Sequence, residues 1–298
     1  MNRILHDYIL KDLCPNGIWQ LSDVVRSLIR HQMCRLPKDK VSEIMTRYPQ
    51  SLAGMRAFLV KFFTRHYFQN QNSLVDYMIS HDFLDIIKSG HLQILDVGSG
   101  PAVASLAITE ILTCIIKRLV YMGKWPKSKT VKITYVLNDI SGICLGTGQQ
   151  MLTDYFRISM RDNSEVARSQ TISIQKAFPD NMNQLRRIMF NLGPYDIAIF
   201  SYSILPLSED KGFKGFVDGL LNIEKFCNHK GRILILQDKF QTSLVRRMSR
   251  AIATSTNKQV LTQYVYPKRN ENETYTYTYY HCLYEPVRRV KFGQNFVA

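Results

Sequence analysis

The chain has 298 residues, of which 45% are apolar and 21% are charged, the usage of an ordinary globular protein. This length permits one large domain or a core domain with a modest extension, and it suffices to bury a substantial core. No segment has the uninterrupted apolar run of about 18 residues that a membrane helix needs, and the N-terminus lacks the apolar block of a signal peptide. We therefore expect a cytoplasmic protein with no membrane partner.

The N-terminal part of the chain has helical periodicity. Up to about residue 90, apolar residues recur at intervals of three and four, as in the stretches 18–29 and 55–63. Pro15, Pro37 and Pro49 interrupt this pattern at the points where helices would end. The pattern predicts a small all-helical N-terminal subdomain at residues 1–73.

A glycine-containing turn follows at residues 92–101, Leu-Gln-Ile-Leu-Asp-Val-Gly-Ser-Gly-Pro. An apolar strand runs into an acid, and Gly98 and Gly100 then allow a sharp turn that brings backbone N–H groups close to a ligand before a long helix begins. In the dinucleotide fingerprint a third glycine comes three residues after the second, whereas here residues 101–103, Pro-Ala-Val, follow Gly100. The turn therefore predicts a nucleotide-type cofactor that carries no pyrophosphate.

From residue 92 onwards, short β-rich runs alternate with amphipathic segments, which is typical of an α/β domain with a mostly parallel sheet. The predicted strands are 92–97, 131–138, 171–176, 195–201, 231–237, 259–266 and 275–284. The predicted helices are about 102–122, 142–158, 181–191, 212–228 and 241–255. The connection at 267–273 is too short for a crossover helix, so the last two strands are predicted to form an antiparallel hairpin.

These features resemble the class I S-adenosylmethionine-dependent methyltransferases. The Asp-Val-Gly-Ser-Gly turn at 96–100 is similar to the first motif of that superfamily, whose ligand has a ribose and a zwitterionic amino acid but no phosphate. The resemblance covers residues 74–298 and implies a Rossmann-like sheet of seven strands, mostly parallel, with a closing antiparallel hairpin. It also implies S-adenosyl-L-methionine as the cofactor and methyltransferase activity.

The resemblance further implies the residues of a cofactor site. The methionine part of the cofactor would lie beside Asp96, Gly98, Ser99 and Gly100, with Asp96 facing the amino group. Asp139, at the end of the second strand, would accept hydrogen bonds from both ribose hydroxyls. It lies 43 residues beyond Asp96, where about 20 is usual between such a turn and the ribose acid, and a longer helix and loop account for the excess.

The adenine and acceptor ends of the site follow the third and fourth strands. Phe178 would pack on the adenine ring and Asp180 would reach its amino group, although an ordinary turn explains Asp180 equally well. Ser201 completes the predicted cofactor site at the end of the fourth strand, and the loop 201–207 would hold the methyl acceptor.

The loop 201–207, Ser-Tyr-Ser-Ile-Leu-Pro-Leu, matches no standard acceptor motif. It lacks the double proline of enzymes that methylate amino groups of bases, the Cys of pyrimidine carbon-5 enzymes and the acid of ribose 2′-O enzymes. Methyl transfer depends chiefly on holding donor and acceptor in line, so a strong base is optional. If a base takes part, the candidates are Tyr202, Asp238 and Lys239, each of which also has a structural interpretation.

A narrower resemblance is to the mitochondrial small-ribosomal-subunit methyltransferase-like family. The segments similar to it are 58–67, 97–107, 138–146 and 201–207. That family often carries a cysteine-rich metal motif, whereas the six cysteines here form no Cys-x-x-Cys pair, and we expect no metal site.

The formal net charge of +15 arises from 39 Lys and Arg against 24 Asp and Glu. Such an excess of positive charge is typical of proteins that bind a polyanionic partner, although a solvated basic face explains it as well. The expected RNA or ribonucleoprotein contacts are Arg246, Arg247, Arg250, Lys268 and Arg269. Three functions stay open: a methyltransferase acting on RNA or an RNA-associated protein, a cofactor-binding but non-catalytic assembly protein, and a small-molecule methyltransferase.

Overall fold

The computed structural model describes residues 2–33, 36, 41, 48–159, 167–203, 210–238, 242–256, 262–265 and 279–284. Four α-helices come before the first strand of the described chain: α1 Asn2–Leu13, α2 Asp23–Met33, α3 Leu52–Met78 and α4 His81–Lys88. The longest, α3, begins after Ser51, whose side chain accepts a hydrogen bond from the Gly54 N–H at 3.1 Å and so caps the helix.

Strands and helices then alternate. The elements are β1 His91–Val97, α5 Val103–Tyr121, β2 Val131–Asp139, α6 Gly142–Ser159, β3 Ala167–Gln175, α7 Met182–Leu192, β4 Tyr195–Ser201, α8 Asp210–Glu224, β5 Cys227–Asp238, α9 Thr242–Thr256, β6 Thr262–Val265 and β7 Tyr279–Tyr284.

These strands form one sheet in the order β3-β2-β1-β4-β5-β7-β6. The strands β1 to β5 are parallel to their neighbours, and β7 lies between β5 and β6 and is antiparallel to both. From β1 the chain moves outward to β2 and β3, and it then returns to place β4 on the other side of β1. The crevice at the carboxyl ends of β1 and β4 is therefore a topological switch point, the usual ligand position in an open α/β sheet.

The α/β class with a largely parallel sheet agrees with the prediction, and two strands begin four residues earlier than predicted. β3 begins at residue 167 rather than 171, because it pairs with β2 along its whole length, from Ala167 opposite Val131. β5 begins at residue 227 rather than 231, because its first residue, Cys227, pairs with Tyr195 of β4 ahead of an irregularity in register. The predicted loop 267–273 lies outside the described residues.

Two hydrophobic clusters cover the two faces of the sheet. Successive residues of a strand point to opposite faces of the sheet. Ile94 therefore packs with α5, α6 and the N-terminal helices, whereas Leu95 packs with α7, α8 and α9. The N-terminal helices thus share one core with the sheet, and the predicted boundary between residues 73 and 74 falls inside α3. None of the helices in the described part of the chain is both long and apolar enough to cross a membrane.

Candidate functional site

The glycine turn follows β1 along the chain and is held against the carboxyl end of β2 by hydrogen bonds. Gly98 and Gly100 have φ angles of 65° and 53°, in the left-handed region that favours glycine. The Ser99 N–H donates to the Asn138 carbonyl oxygen at 2.9 Å, and the Gly100 N–H donates to Oδ2 of Asp139 at 2.8 Å. A Cβ atom on Gly98 would overlap the side chain of Ser203, so this position also lets the chain after β4 approach closely.

Asp139 is buried, and the chain itself already satisfies most of its hydrogen-bonding capacity. Its Oδ2 accepts from the Gly100 N–H and, at 2.7 Å, from the Tyr48 hydroxyl, while its Oδ1 accepts from the Ser141 N–H at 2.8 Å. A carboxylate has about four acceptor positions, so these three bonds leave one for a ligand. The two ribose hydroxyls expected at Asp139 can both bind only if the Tyr48 hydroxyl leaves.

Tyr48 reaches the site from the segment before α3. Burial and the neighbouring carboxylate of Asp139 both raise the pKa of Tyr48, so its hydroxyl keeps the proton that it donates. The adjacent Pro49 is fixed to the start of α6, because its carbonyl oxygen accepts from the Ser141 hydroxyl at 2.6 Å. The segment before α3 therefore covers the end of β2.

Asp96 ends the apolar part of β1 and is 1% exposed. Its Oδ2 accepts from the Ser105 hydroxyl at 2.7 Å and from the Ser105 N–H at 3.3 Å. Burial raises the pKa of Asp96 to about 6, although the hydrogen bonds from Ser105 oppose that rise. The carboxylate is thus held against the start of α5 and faces the cavity described next.

Two cavities border the glycine turn. A cavity of about 70 Å³ contains Asp96, Ser99, Gly100 and Ser201 in its lining, and one of about 180 Å³ is lined by Asn138, Asp139, Ile140, Lys176 and Phe178. Tyr48, Gly98 and Tyr202 line both. The structure therefore brings together all the predicted cofactor residues except Asp180, which is exposed and outside both linings.

Phe178, which the sequence predicts to pack on an adenine ring, is itself fixed by packing. The Phe178 ring makes edge contacts with Phe200 and Phe216, at centroid distances of 5.4 and 5.1 Å. Ile140, directly after Asp139, is 47% exposed and presents an apolar side chain to the larger cavity. These two apolar side chains give the larger cavity the character that a flat ring needs.

A pair of stacked rings lies at the end of β4, where the sequence predicts the methyl acceptor. Tyr202 has a φ of 56°, which is uncommon outside glycine. Its ring lies on the His66 imidazole, with centroids 3.9 Å apart and planes 7° from parallel, and its hydroxyl donates to Gln69. Burial, and then the charge of Arg65, lower the pKa of His66 to about 3, so this ring is neutral near pH 7.

Of the three candidate bases, the described side chains therefore include only Tyr202, whose hydroxyl is already engaged with Gln69. Asp238 ends β5, but its side chain lies outside the described residues, as does all of Lys239. The roles of all three as bases stay predictions.

Polar atoms without a hydrogen-bond partner among the described residues lie near the end of β4 and indicate whether a ligand fits there. Asn70 is buried and donates to the Ser201 hydroxyl at 3.0 Å, whereas its Oδ1 has no hydrogen-bond partner among the described residues. The same holds for the Ser203 hydroxyl, beside the glycine turn and in the lining of the larger cavity. Buried polar groups are normally satisfied, so a polar ligand fits this region. Across the described residues, no three His, Cys, Asp or Glu side chains are placed to hold a metal ion.

Sequence reasoning missed several residues that line the two cavities, and four of these matter most for the site: Tyr48, Phe58, His66 and Ile140. Three of them belong to the N-terminal part of the chain, where the helical pattern indicated packing only. The spacing of Phe58, Phe62 and His66 at intervals of four is the signal that could have placed them on one helix face.

Comparisons with known proteins give distant structural similarity. No protein-family model and no curated protein matches the sequence. Similar solved structures include human methyltransferase 10 domain containing protein, with 8% identity, 84% of this chain and 98% of that chain covered and a TM-score of 0.44. The plantazolicin methyltransferase BpumL in complex with a monoazolic desmethylPZN analog and SAH has 10% identity, coverages of 87% and 98% and a TM-score of 0.43.

A third similar structure is precorrin-6y C5,15-methyltransferase from Geobacter metallireducens GS-15, with 9% identity, coverages of 69% and 89% and a TM-score of 0.39. Identities and TM-scores this low transfer neither an activity nor a substrate. The residues described above therefore carry the functional inference.

Proposed function

We propose that this chain is an S-adenosylmethionine-dependent methyltransferase. One observation carries the proposal: at the switch point of the sheet, the Gly98–Gly100 turn faces the Asp139 carboxylate, with a cavity on either side. The antiparallel β7 beside β5 supports it, because the resemblance implies such a closing pair of strands.

The residues of the two cavities match the chemistry of this cofactor. The free acceptor position of Asp139 suits a ribose hydroxyl, and Ile140 and Phe178 offer apolar surface to an adenine ring. Asp96 and Ser201 line the smaller cavity, where a buried carboxylate suits the ammonium group of the methionine part. When bound, S-adenosylmethionine supplies a methyl group on a positively charged sulfur.

The described side chains favour catalysis by positioning. A general base works best with a pKa near the working pH, and the pKa of His66, lowered to about 3, is far from it. The pKa of Asp96 is closer, at about 6, but this carboxyl is engaged by two hydrogen bonds from Ser105. The chain would therefore orient the acceptor for in-line attack and exclude water, without a strong base.

An RNA or an RNA-associated protein is our proposed substrate. The net charge of +15 supports a polyanionic partner. Arg246, Arg247 and Arg250 are exposed on α9, while Lys268 and Arg269 lie outside the described residues. Because the loop 201–207 matches no standard acceptor motif, a second candidate function stays open: a protein that binds the cofactor and takes part in assembly without catalysing methyl transfer.

Two measurements test the proposed function. Calorimetry should detect binding of S-adenosylmethionine and S-adenosylhomocysteine but not of NAD. The second measurement incubates the protein and radiolabelled S-adenosylmethionine with total RNA, with cell protein or with small molecules. We expect the label to appear in the RNA or in the protein fraction. Binding of NAD alone would overturn the assignment, and cofactor binding without labelling of any fraction would favour the assembly protein.

A further inference from the structure

Four aromatic rings form a continuous group at the acceptor end of the site. Phe62 stacks on His66 with a centroid distance of 5.4 Å, and His66 stacks on Tyr202 at 3.9 Å. Phe58 contacts both Phe62, at 5.1 Å, and His66, at 6.2 Å. We call these four residues, Phe58, Phe62, His66 and Tyr202, the ring stack.

The ring stack belongs to the site and is not simply part of the core. Phe58, His66 and Tyr202 line the smaller cavity together with Asp96 and Ser201. Phe58 and Phe62 keep part of their surface exposed, unlike the fully buried Phe63 on the same helix. The ring stack therefore borders the smaller cavity and keeps part of its surface open to solvent.

Two basic side chains lie beside rings of the stack. The Lys61 ammonium lies 5.5 Å from the Phe62 ring centroid, and the Arg65 guanidinium lies 5.9 Å from that of Tyr202. Arg56 adds a third cation on α3, and the sequence has no Asp or Glu from residue 52 to residue 75. A partner that approaches this half of α3 would meet flat apolar surfaces bordered by positive charge.

We propose that the ring stack binds an unpaired base of single-stranded RNA and presents that base as the methyl acceptor. Aromatic side chains stack on any base, and basic side chains beside them neutralise the flanking phosphates. The neutral His66 suits this role, because it can stack without a charge to solvate. This inference rests on the proposed function and specifies its acceptor.

The test measures fluorescence anisotropy of a labelled, mixed-sequence single-stranded oligoribonucleotide on the full chain and its variants. Removal of one stacking ring typically weakens binding by roughly 5- to 150-fold, so we expect Phe62→Ala to show a loss in this range. Phe62→Leu, which keeps an apolar side chain, should lose part of the affinity and guards against a folding defect. Phe190→Ala is the matched control, because Phe190 is a 73% exposed ring on α7.

Binding of the same RNA as a duplex should be weak and insensitive to Phe62→Ala. Wild-type affinity in Phe62→Ala, an equal loss in Phe190→Ala, or equal competition by an acidic peptide would overturn the inference. Calorimetry with S-adenosylhomocysteine separates the two proposals. If that ligand binds while RNA binding ignores Phe62, the ring-stack inference alone fails; if it does not bind, the proposed function fails.

Discussion

At the residue scale, we expect the hydrogen bond between Tyr48 and Asp139 to limit affinity for the proposed cofactor. The Tyr48 hydroxyl occupies an acceptor position of the carboxylate that a ribose hydroxyl would use. Tyr48→Phe removes this competitor, and a net hydrogen bond of about 0.5 to 1.5 kcal/mol corresponds to roughly 2- to 10-fold tighter binding. Calorimetric titration with S-adenosylhomocysteine measures the change.

Asp139→Ala is the opposing variant. Loss of a hydrogen bond to a charged group, about 1.5 to 3 kcal/mol, should weaken binding of the same ligand by roughly 10- to 150-fold. Because Asp139 also holds the Gly100 and Ser141 N–H groups, thermal unfolding must show that the variant is folded. Weaker binding by Tyr48→Phe would show that the Tyr48 hydroxyl contacts the cofactor and does not compete with it.

Because the pKa of Asp196, on β4, is raised in the folded protein, we expect the free energy of unfolding to depend on pH. Burial raises its pKa from 3.8 to about 6, against the hydrogen bonds from the Gln93 N–H and Asn228, both 2.8 Å. The native state therefore keeps a proton that the unfolded chain has lost. The resulting stability is fully present below pH 3.8 and is lost as the pH rises through about 6.

Asp196→Asn stays neutral and should remove this dependence. In denaturant unfolding at about pH 4 and about pH 7, the wild type should lose ~1 to 3 kcal/mol more between the two pH values than the variant does. Asp85→Asn is the control, because hydrogen bonds from Lys230 and Lys88 lower the pKa of Asp85, so that this carboxyl stays ionised in the native state at both pH values and its removal should leave the pH dependence nearly unchanged. Identical losses in the wild type and Asp196→Asn would contradict the prediction.

At the scale of elements, the turn after β1 and the chain after β4 pack on each other through Gly98. In Gly98→Ala the new Cβ would overlap Ser203, and the φ of 65° would add about 1 to 2 kcal/mol of backbone strain. We expect a loss of ~2 kcal/mol or more in the free energy of unfolding, measured by denaturant titration.

Gly123→Ala is the matched control for Gly98→Ala. Gly123 has nearly the same φ, 67°, but no described atom lies within 4 Å of the position that a Cβ would take there, so this variant should show the backbone strain alone. Adding Ser203→Gly to Gly98→Ala removes the side chain that the new Cβ would overlap, so the double variant should recover the stability that Gly98→Ala loses beyond Gly123→Ala. Equal losses in the two single variants would mean that the contact between Gly98 and Ser203 contributes nothing to stability.

At the scale of the whole molecule, the charge of +15 predicts RNA binding that weakens steeply with salt. Arg246 and Arg250 are exposed on α9, one helical turn apart, whereas Arg247 lies over the Phe213 ring at 4.0 Å and also packs. Replacing Arg246 and Arg250 together by Gln should reduce the slope of log affinity against log salt by about 1.4, at about 0.7 per phosphate of a single strand.

The control for this pair removes the same charge elsewhere. Lys124 and Lys127 are exposed in the loop after α5, and their replacement by Gln should leave the slope nearly unchanged. Equal slopes for both double variants would show that the charge of α9 is only a solvated face. Cofactor affinity should be unchanged in both.

The sequence by itself determined the α/β class, the glycine turn and the position of Asp139 at a strand end. Periods of two and of 3.6 residues are local properties, and the carboxyl ends of parallel strands meet at one edge of the sheet. These rules also explain why Asp96, Gly98, Gly100 and Asp139 could be placed together from the sequence.

Only the tertiary structure decided which N-terminal residues complete the site. Tyr48 reaches Asp139 across 91 positions of the chain, and the His66 ring lies on Tyr202. Such contacts join segments far apart in sequence and leave no periodic mark in either, so no local pattern could predict them. Asp180, which the sequence places after β3, is exposed and lies outside both cavity linings, although Phe178 of the same turn lines the larger cavity, and its contact with an adenine ring stays a prediction.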